Sequence, residues 1–197
     1  MPAPAPPGRR ARKKAATRQA LSDAALRLFL ARGFADVTVR EIADAVDVST
    51  TTLMKHFPTK EALVFDRDDE IERALVAAVT ERPAHSSAFD ALRAYLRARV
   101  ARAVPARVRP FLELVRTTPA LSDHWHKMWL RHAHVLARAL ARDLGRPASD
   151  ATCTAMAHLV LEAAALAERS AHPARTLEAA LAILEHGWPR AAKPGRR

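Results

Sequence analysis

The chain has one cysteine, Cys153, in 197 residues. That rules out intrachain disulfides and zinc sites built on paired thiolates. It suits a reducing compartment, so the cytoplasm is the expected location. Glycine is scarce, with five residues in all, and none is gathered into a loop that could cradle a phosphate. No G-x-S-x-G elbow occurs either, and Cys153 sits among apolar residues with no basic neighbour to activate it. An enzyme is therefore poorly supported and no cofactor is expected. Aromatic residues make up only 5% of the chain. No apolar stretch is long enough to cross a bilayer, and the opening MPAPAPPGRR lacks the apolar segment of a secretory signal. A membrane is not an expected partner.

What the chain has instead is alanine and leucine at helical spacing, with no alternation of the kind strands require. An all-α protein follows, long enough to bury a sizeable core. The net charge of +11 is uneven. Arg9, Arg10, Arg12, Lys13, Lys14 and Arg18, with Arg190, Lys193, Arg196 and Arg197, leave 22 of the 32 basic residues against 21 acids in between. The body is nearly neutral. Segments 1–12 and 190–197 are basic, contain proline and lack apolar periodicity, so both are expected to be disordered. A basic arm leading into a first helix suits contact with DNA phosphates or a minor groove. The bland alternative, a solubilising tail, is preferred for 190–197.

The densest signals lie in VTVREIADAVDVSTTTLMKHFPTKEAL, residues 37–63. Thr38 and Glu41 have the spacing of a capping box, in which hydroxyl and carboxylate satisfy each other's backbone N–H groups. Ser49 can cap a second helix with Leu53 and Phe57 on one face, and Pro58 stops it. Thr59 can cap a third, continued to about Thr80 by Leu63, Ile71, Leu75 and Val79. Helices of barely two turns are not stable alone. Support is at hand in Leu21, Ala24, Ala25, Leu28 and Phe29, a helical run closed by Gly33 and Phe34. A shared core of Leu28, Phe29, Phe34, Val37, Ile42, Val46, Val48, Leu53 and Phe57 is expected. Two short helices over a supporting one is helix-turn-helix geometry, whose second helix enters a DNA major groove.

These residues also carry a likeness. Thr38-Val39-Arg40-Glu41-Ile42-Ala43, Val48-Ser49, Thr52-Leu53 and His56-Phe57-Pro58-Thr59-Lys60-Glu61-Ala62-Leu63 resemble the N-terminal signature of the TetR family of transcriptional regulators. Asp47 stands at a turn position where glycine is usual, and aspartate tolerates a left-handed backbone better than most residues. Met54 stands where an aromatic, often tyrosine, is usual. The resemblance implies a DNA-binding domain over 13–63 and a ligand-binding and dimerisation domain over 64–189. It also implies a homodimer that a small-molecule effector releases from a palindromic operator by shifting the fourth helix. Thr38, Val39 and Arg40 would lie near the DNA backbone. Ser49, Thr50, Thr51, Thr52 and Lys55 would belong to the recognition surface. His56 and Lys60 would be backbone clamps, Lys60 at the start of the fourth helix. Threonine offers a methyl or a hydroxyl to a base edge, and lysine suits guanine or phosphate.

Further helices are marked by Phe89, Leu92, Leu96 and Val100, then by Phe111, Leu112 and Val115. A long one is closed by Gly145. Residues 151–167 are apolar on nearly every side, and Leu177, Ala180, Leu181 and Leu184 form a final stripe. A helix apolar all round is buried on both faces. This pattern places Val160, Leu161, Ala164, Leu177, Leu181 and Leu184 at a dimer interface, unless both helices simply complete a monomer's core. His132 shares an apolar face with Leu121, Trp125, Met128, Val135 and Leu136. An effector pocket is therefore expected from Leu92, Tyr95, Leu96, Phe111, Trp125, Met128, Trp129, His132 and Met156. The four histidines of that helix, His124, His126, His132 and His134, include i,i+2 pairs that point apart, so no metal site is expected. His158 and Glu162 form either a polar spot in a pocket wall or a solvent line continued by Arg169. Arg93, Arg97, Arg99, Arg102, Arg107 and Arg109 could hold an anionic effector, but they fall on several faces and a solvated surface is favoured.

Overall fold

The computed structural model describes residues 8–101 and 109–187, and its regular elements there are all helices. α1 (Arg9–Arg32), α2 (Val39–Asp44) and α3 (Thr50–His56) lead to a short 3-10 turn (Glu61–Leu63). α4 (Asp68–Thr80), α5 (Ala88–Ala101), α6 (Arg109–Thr117), α7 (Pro119–Asp143), α8 (Ala151–Glu168) and α9 (Pro173–His186) follow. The all-α expectation is met. Among the described residues no helix is long and apolar enough to cross a membrane.

Two compact units emerge. The first runs through Asp68 and also includes α6 and α7 as far as Trp125; the second holds α4 from Asp69, α5, α7 from His126, α8 and α9. This division differs from the expected boundary between residues 63 and 64. Aromatic burial accounts for the difference. Phe65 is buried, with ring centroids 6.3 Å from Phe111, 5.2 Å from His124 and 5.7 Å from Trp125. That cluster ties the chain after the 3-10 turn to α6 and the start of α7.

Two expected boundaries move as well. The disordered arm was placed at 1–12, but α1 begins at Arg9. Pro2, Pro4, Pro6 and Pro7 all precede Gly8, and the alanine, arginine and lysine beyond them favour helix. Residues 1–7 and the tail 190–197 lie outside the described residues. The helix expected to run unbroken from Thr59 is interrupted. Thr59 does cap, its Oγ1 accepting from the Ala62 N–H at 3.2 Å, but only the 3-10 turn follows. Leu63, Val64 and Phe65 are all buried, and three successive side chains cannot share one face of an α-helix. The chain turns there and restarts at Asp68.

In the first unit, Leu21, Ala24, Ala25 and Phe29 of α1 meet Val37, Ile42, Leu53 and Phe57, all buried. Phe34 folds back to 4.9 Å from Phe29 after Gly33, whose φ of 89° suits glycine. Leu28, Val46 and Val48 of the expected core are half-buried.

In the second unit α8 and α9 form a hairpin packed on α5. Cys153, Ala157, Val160, Leu161, Ala164, Ala167, Leu177 and Leu181 are buried within this one chain. This corrects the expected interface. Val160, Leu161, Ala164, Leu177 and Leu181 are covered by their own chain, and Leu184 is half-buried. The exposed apolar residues of the hairpin are instead Leu159, Leu166 and Ile183. The arginines of α5 find carboxylates on the same chain. Arg93 and Arg97 both bond Glu178, Arg93 also reaches Glu185 at 2.8 Å, and Arg99 reaches Glu168 at 2.8 Å. Arg102 and Arg107 lie outside the described residues.

Candidate nucleic-acid interface

The capping box forms as its spacing requires. The Thr38 N–H donates to Glu41 Oε2 at 2.7 Å, and the Glu41 N–H donates to Thr38 Oγ1 at 3.2 Å. Arg32 bonds the same carboxylate at 2.7 Å. The bond from the Thr38 backbone, then those from Arg32 and the Thr38 hydroxyl, pull Glu41 from 4.5 to about 2. Ser49 caps α3 by accepting from the Thr52 N–H at 3.1 Å. Between the helices Asp47 takes φ 54°, the left-handed turn expected of it. Thr38 and Arg40 are exposed at the start of α2 and Val39 is half-buried.

α3 therefore has a fixed orientation. Leu53 within it and Phe57 after it are fully buried on one side, while Thr50, Thr51, Met54 and Lys55 are exposed on the other. Ser49 is exposed and half-buried Thr52 is turned to it, their hydroxyls 2.9 Å apart. Of the expected recognition residues, Thr50, Thr51 and Lys55 thus share one open face.

Three basic residues behave differently from a sequence reading. Arg18, counted there with the basic arm, turns inward. Its guanidinium lies 4.2 Å from the Phe57 ring centroid and donates to the His56 carbonyl at 2.6 Å and the Asp66 carbonyl at 3.3 Å. One side chain of α1 thus holds both the end of α3 and the chain beyond the 3-10 turn. Beside it, Ser22 is buried and donates to the Leu63 carbonyl at 3.0 Å. Sequence reasoning missed Arg18, although its spacing from Leu21 and Ala25 puts it on the apolar side of α1.

Lys60 likewise points inward rather than outward. Its ammonium donates to the Phe34 carbonyl and lies 4.4 Å from the Phe34 ring centroid. Burial pushes its pKa down. It stands at the head of a three-residue turn and not of a long helix, so the expected position for a backbone clamp is corrected. His56 is half-buried, and its Nδ1 has no hydrogen-bond partner among the described residues. Burial first, then the charges of Lys14 and Arg18, lower its pKa. A neutral ring suits a phosphate clamp less well than a cation would. The exposed cations of this unit include Arg9, Arg10, Arg12, Lys13 and Lys14 on α1, Arg40 on α2 and Lys55 on α3.

The nine residues expected to line an effector pocket are divided between the two units. Phe111 and Trp125 stand with Phe65 in the first unit. In the second, Leu92, Leu96, Met128, Trp129 and His132 are each buried, the Trp129 and His132 rings edge-on at 5.4 Å. Met156 is half-buried. Tyr95 alone of the nine lines an open groove of about 750 Å³, with Ala74, Ala78, Ala91, Ala94 and His85. His134 lies edge-on to His158 at 5.9 Å, and Glu162 is bonded by Arg169 at 3.2 Å, which favours the solvent line. Among the described residues no three metal-ligating side chains come together.

A capped pair of short helices, the second buried on one side and polar on the other, defines a helix-turn-helix DNA-binding module. Residues 21–66 match the family model described as "Bacterial regulatory proteins, tetR family". The chain is 33% identical over 144 residues to the HTH-type transcriptional regulator TcmR of Streptomyces glaucescens, covering 69% of this chain and 62% of that regulator. It also resembles the solved structure of Thermus thermophilus FadR, a TetR-family transcriptional repressor in complex with lauroyl-CoA. There the TM-score is 0.55 at 26% identity, over 91% of this chain and all of that one. SmeT, the repressor of a Stenotrophomonas maltophilia multidrug efflux pump, solved with triclosan, shares the fold at a TM-score of 0.58 and 19% identity. That match covers 92% of this chain and 96% of SmeT. Over residues 21–66 the chain is similar to the TetR family, and the relatives it matches are transcriptional regulators.

Proposed function

We propose that this protein is a ligand-responsive transcriptional repressor of the cytoplasm that binds a palindromic DNA operator as a homodimer and is released by a small molecule. The observation that carries this reading is α3, held by the Ser49 cap, Leu53, Phe57 and Arg18 so that Thr50, Thr51 and Lys55 face outward together. An orientation fixed this firmly suits base readout, which needs side chains presented in register. The exposed cations of α1 supply sequence-independent attraction to phosphates.

The homodimer surface we assign to Leu159, Leu166 and Ile183 with the groove between α8 and α9. That groove has a volume of about 400 Å³ and is lined by Leu166, Thr176, Ala179, Ala180 and Ile183. Exposed leucines on a hairpin whose inner face is already filled are what a second copy of the hairpin would cover. The effector belongs to the second unit. The ligands named for FadR and SmeT, lauroyl-CoA and triclosan, carry large apolar parts, and Leu92, Leu96, Met128 and Trp129 would offer an apolar lining once separated. Such a ligand relieves repression only by binding the released form better than the DNA-bound one.

Binding-site selection with the purified protein tests the core of this. Enrichment of an inverted repeat is expected. Retention of random duplexes without enrichment would reduce the protein to a nonspecific binder.

A further inference from the structure

We propose that Met54 is a specificity-determining residue that reads the methyl group of a thymine in the major groove, a role that rests on the DNA-binding reading above. The exposed arc of α3 consists of Thr50, Thr51, Met54 and Lys55. At about 100° of turn per residue, Met54 lies about 40° from Thr50 and about 60° from Thr51, between the two hydroxyl side chains. It is 43% exposed, a large apolar side chain on a face whose other members are hydroxyls and an ammonium. The fully buried positions are Leu53 within α3 and Phe57 after it, both at 0% exposure, and Met54 is not among them.

The chemistry of a thioether narrows its target. It has no proton to donate and accepts hydrogen bonds weakly, so it cannot serve a phosphate as a hydroxyl would. Among the groups a base pair displays in the major groove, one is apolar, the C5-methyl of thymine. Methionine is unbranched and polarisable, and it fits a small apolar group without demanding one fixed approach. Charge selects a duplex over a protein as the occupant. Lys55 adjoins Met54, and Arg9, Arg10, Arg12, Lys13 and Lys14 are exposed in the same unit.

The test uses the full-length protein and a duplex obtained by binding-site selection with the wild type. Each thymine of the selected site is replaced in turn by uracil, which removes the methyl and nothing else. Affinities are read by fluorescence anisotropy at one fixed salt concentration. One thymine per half-site should lose about fourfold in affinity when demethylated, the worth of one buried methyl. Met54→Ala should bind thymine and uracil equally at that position and keep the wild-type response elsewhere. Met54→Leu should restore discrimination. Because the side chain is exposed, neither change should disturb folding, which circular dichroism checks. A Met54→Ala protein that keeps the wild-type thymine-to-uracil ratio at every position overturns the assignment. So does one that weakens all duplexes equally, the mark of a contact without base preference. Enrichment of no sequence by the wild type would instead overturn the DNA-binding reading itself.

Discussion

The two units contrast in the bonds that join residues far apart in sequence. In the first, polar side chains bond to backbone. Thr38 and Ser49 cap helices of six and seven residues, Ser22 reaches the Leu63 carbonyl, Lys60 the Phe34 carbonyl, and Arg18 the His56 and Asp66 carbonyls. In the second, side chains pair with each other. Arg93, Arg97, Arg99 and Arg82 meet Glu178, Glu185, Glu168 and Asp143, around a filling of alanine and leucine. Helix length explains the contrast. A helix of 14 or 18 residues satisfies most of its own backbone, whereas one of six or seven leaves most of it to others. Backbone-directed bonds fix where a short helix points. Side-chain pairs and small apolar residues can be exchanged or repacked. The first construction would suit the DNA-reading role proposed for that unit, and the second the ligand-binding role proposed for its neighbour in sequence.

The contrast can be broken in order of expected effect. Leu166→Glu should abolish the proposed dimer while the chain stays folded, since the residue is exposed. An unpaired charge buried at an interface costs about 3–5 kcal/mol. Sedimentation decides; a folded variant that still dimerises moves the interface elsewhere. Next comes Arg18→Ala, which frees two carbonyls from a cationic donor and should cost the first unit about 3 kcal/mol. Thermal unfolding should then become biphasic, with the second unit's transition unmoved. A single shifted transition would mean that the units unfold together and the distinction has no energetic meaning. Glu178→Gln should be milder, under about 1 kcal/mol, because the carboxylate is partly exposed and its attraction is screened.

The smallest effect is one the two units share. Glu41 and Glu178 are both pulled from 4.5 to about 2, Glu41 chiefly by the Thr38 backbone N–H and Glu178 chiefly by Arg97. A lowered carboxylate pKa adds stability in full above about 4.5, which is lost as pH falls through about 2. Glu41→Gln and Glu178→Gln should each flatten that acid limb, the first in the DNA-binding unit's transition and the second in the other's. An acid limb unchanged by both substitutions would assign acid lability to other carboxylates.

What could be read from the sequence follows the same division. The caps at Thr38 and Ser49, the stop at Pro58, the turn at Asp47 and the core around Phe29 and Phe57 are local signals, and the structure realises them. Signals at long range were silent or misleading. Arg18's spacing from Leu21 and Ala25 hints that it turns inward, but its acceptors, like that of Lys60, lie 26 or more residues away and have no local signal. Thr59 does cap as its chemistry dictates, but only a 3-10 turn follows, and Phe65 beyond it joins Phe111, His124 and Trp125, a pull invisible to periodicity. The all-round apolar α8 signals burial on both sides without saying which side a neighbouring helix covers. Val160 and Leu161 were thus expected outside and found inside, with Leu159 and Leu166 left exposed.

The placement of Trp125 and Trp129 has an optical consequence. One turn apart on α7, they fall in different units, Trp125 with Phe65 and Trp129 buried against His132. Indole emission shifts to the red as the ring meets water, so the chain carries a native fluorophore for each unit. The third tryptophan, Trp188, lies outside the described residues and can be replaced by phenylalanine. Replacing Trp188 with either α7 indole leaves a single emitter. Its colour reports on the DNA-binding half in one protein and on the other half in its counterpart, with no dye attached.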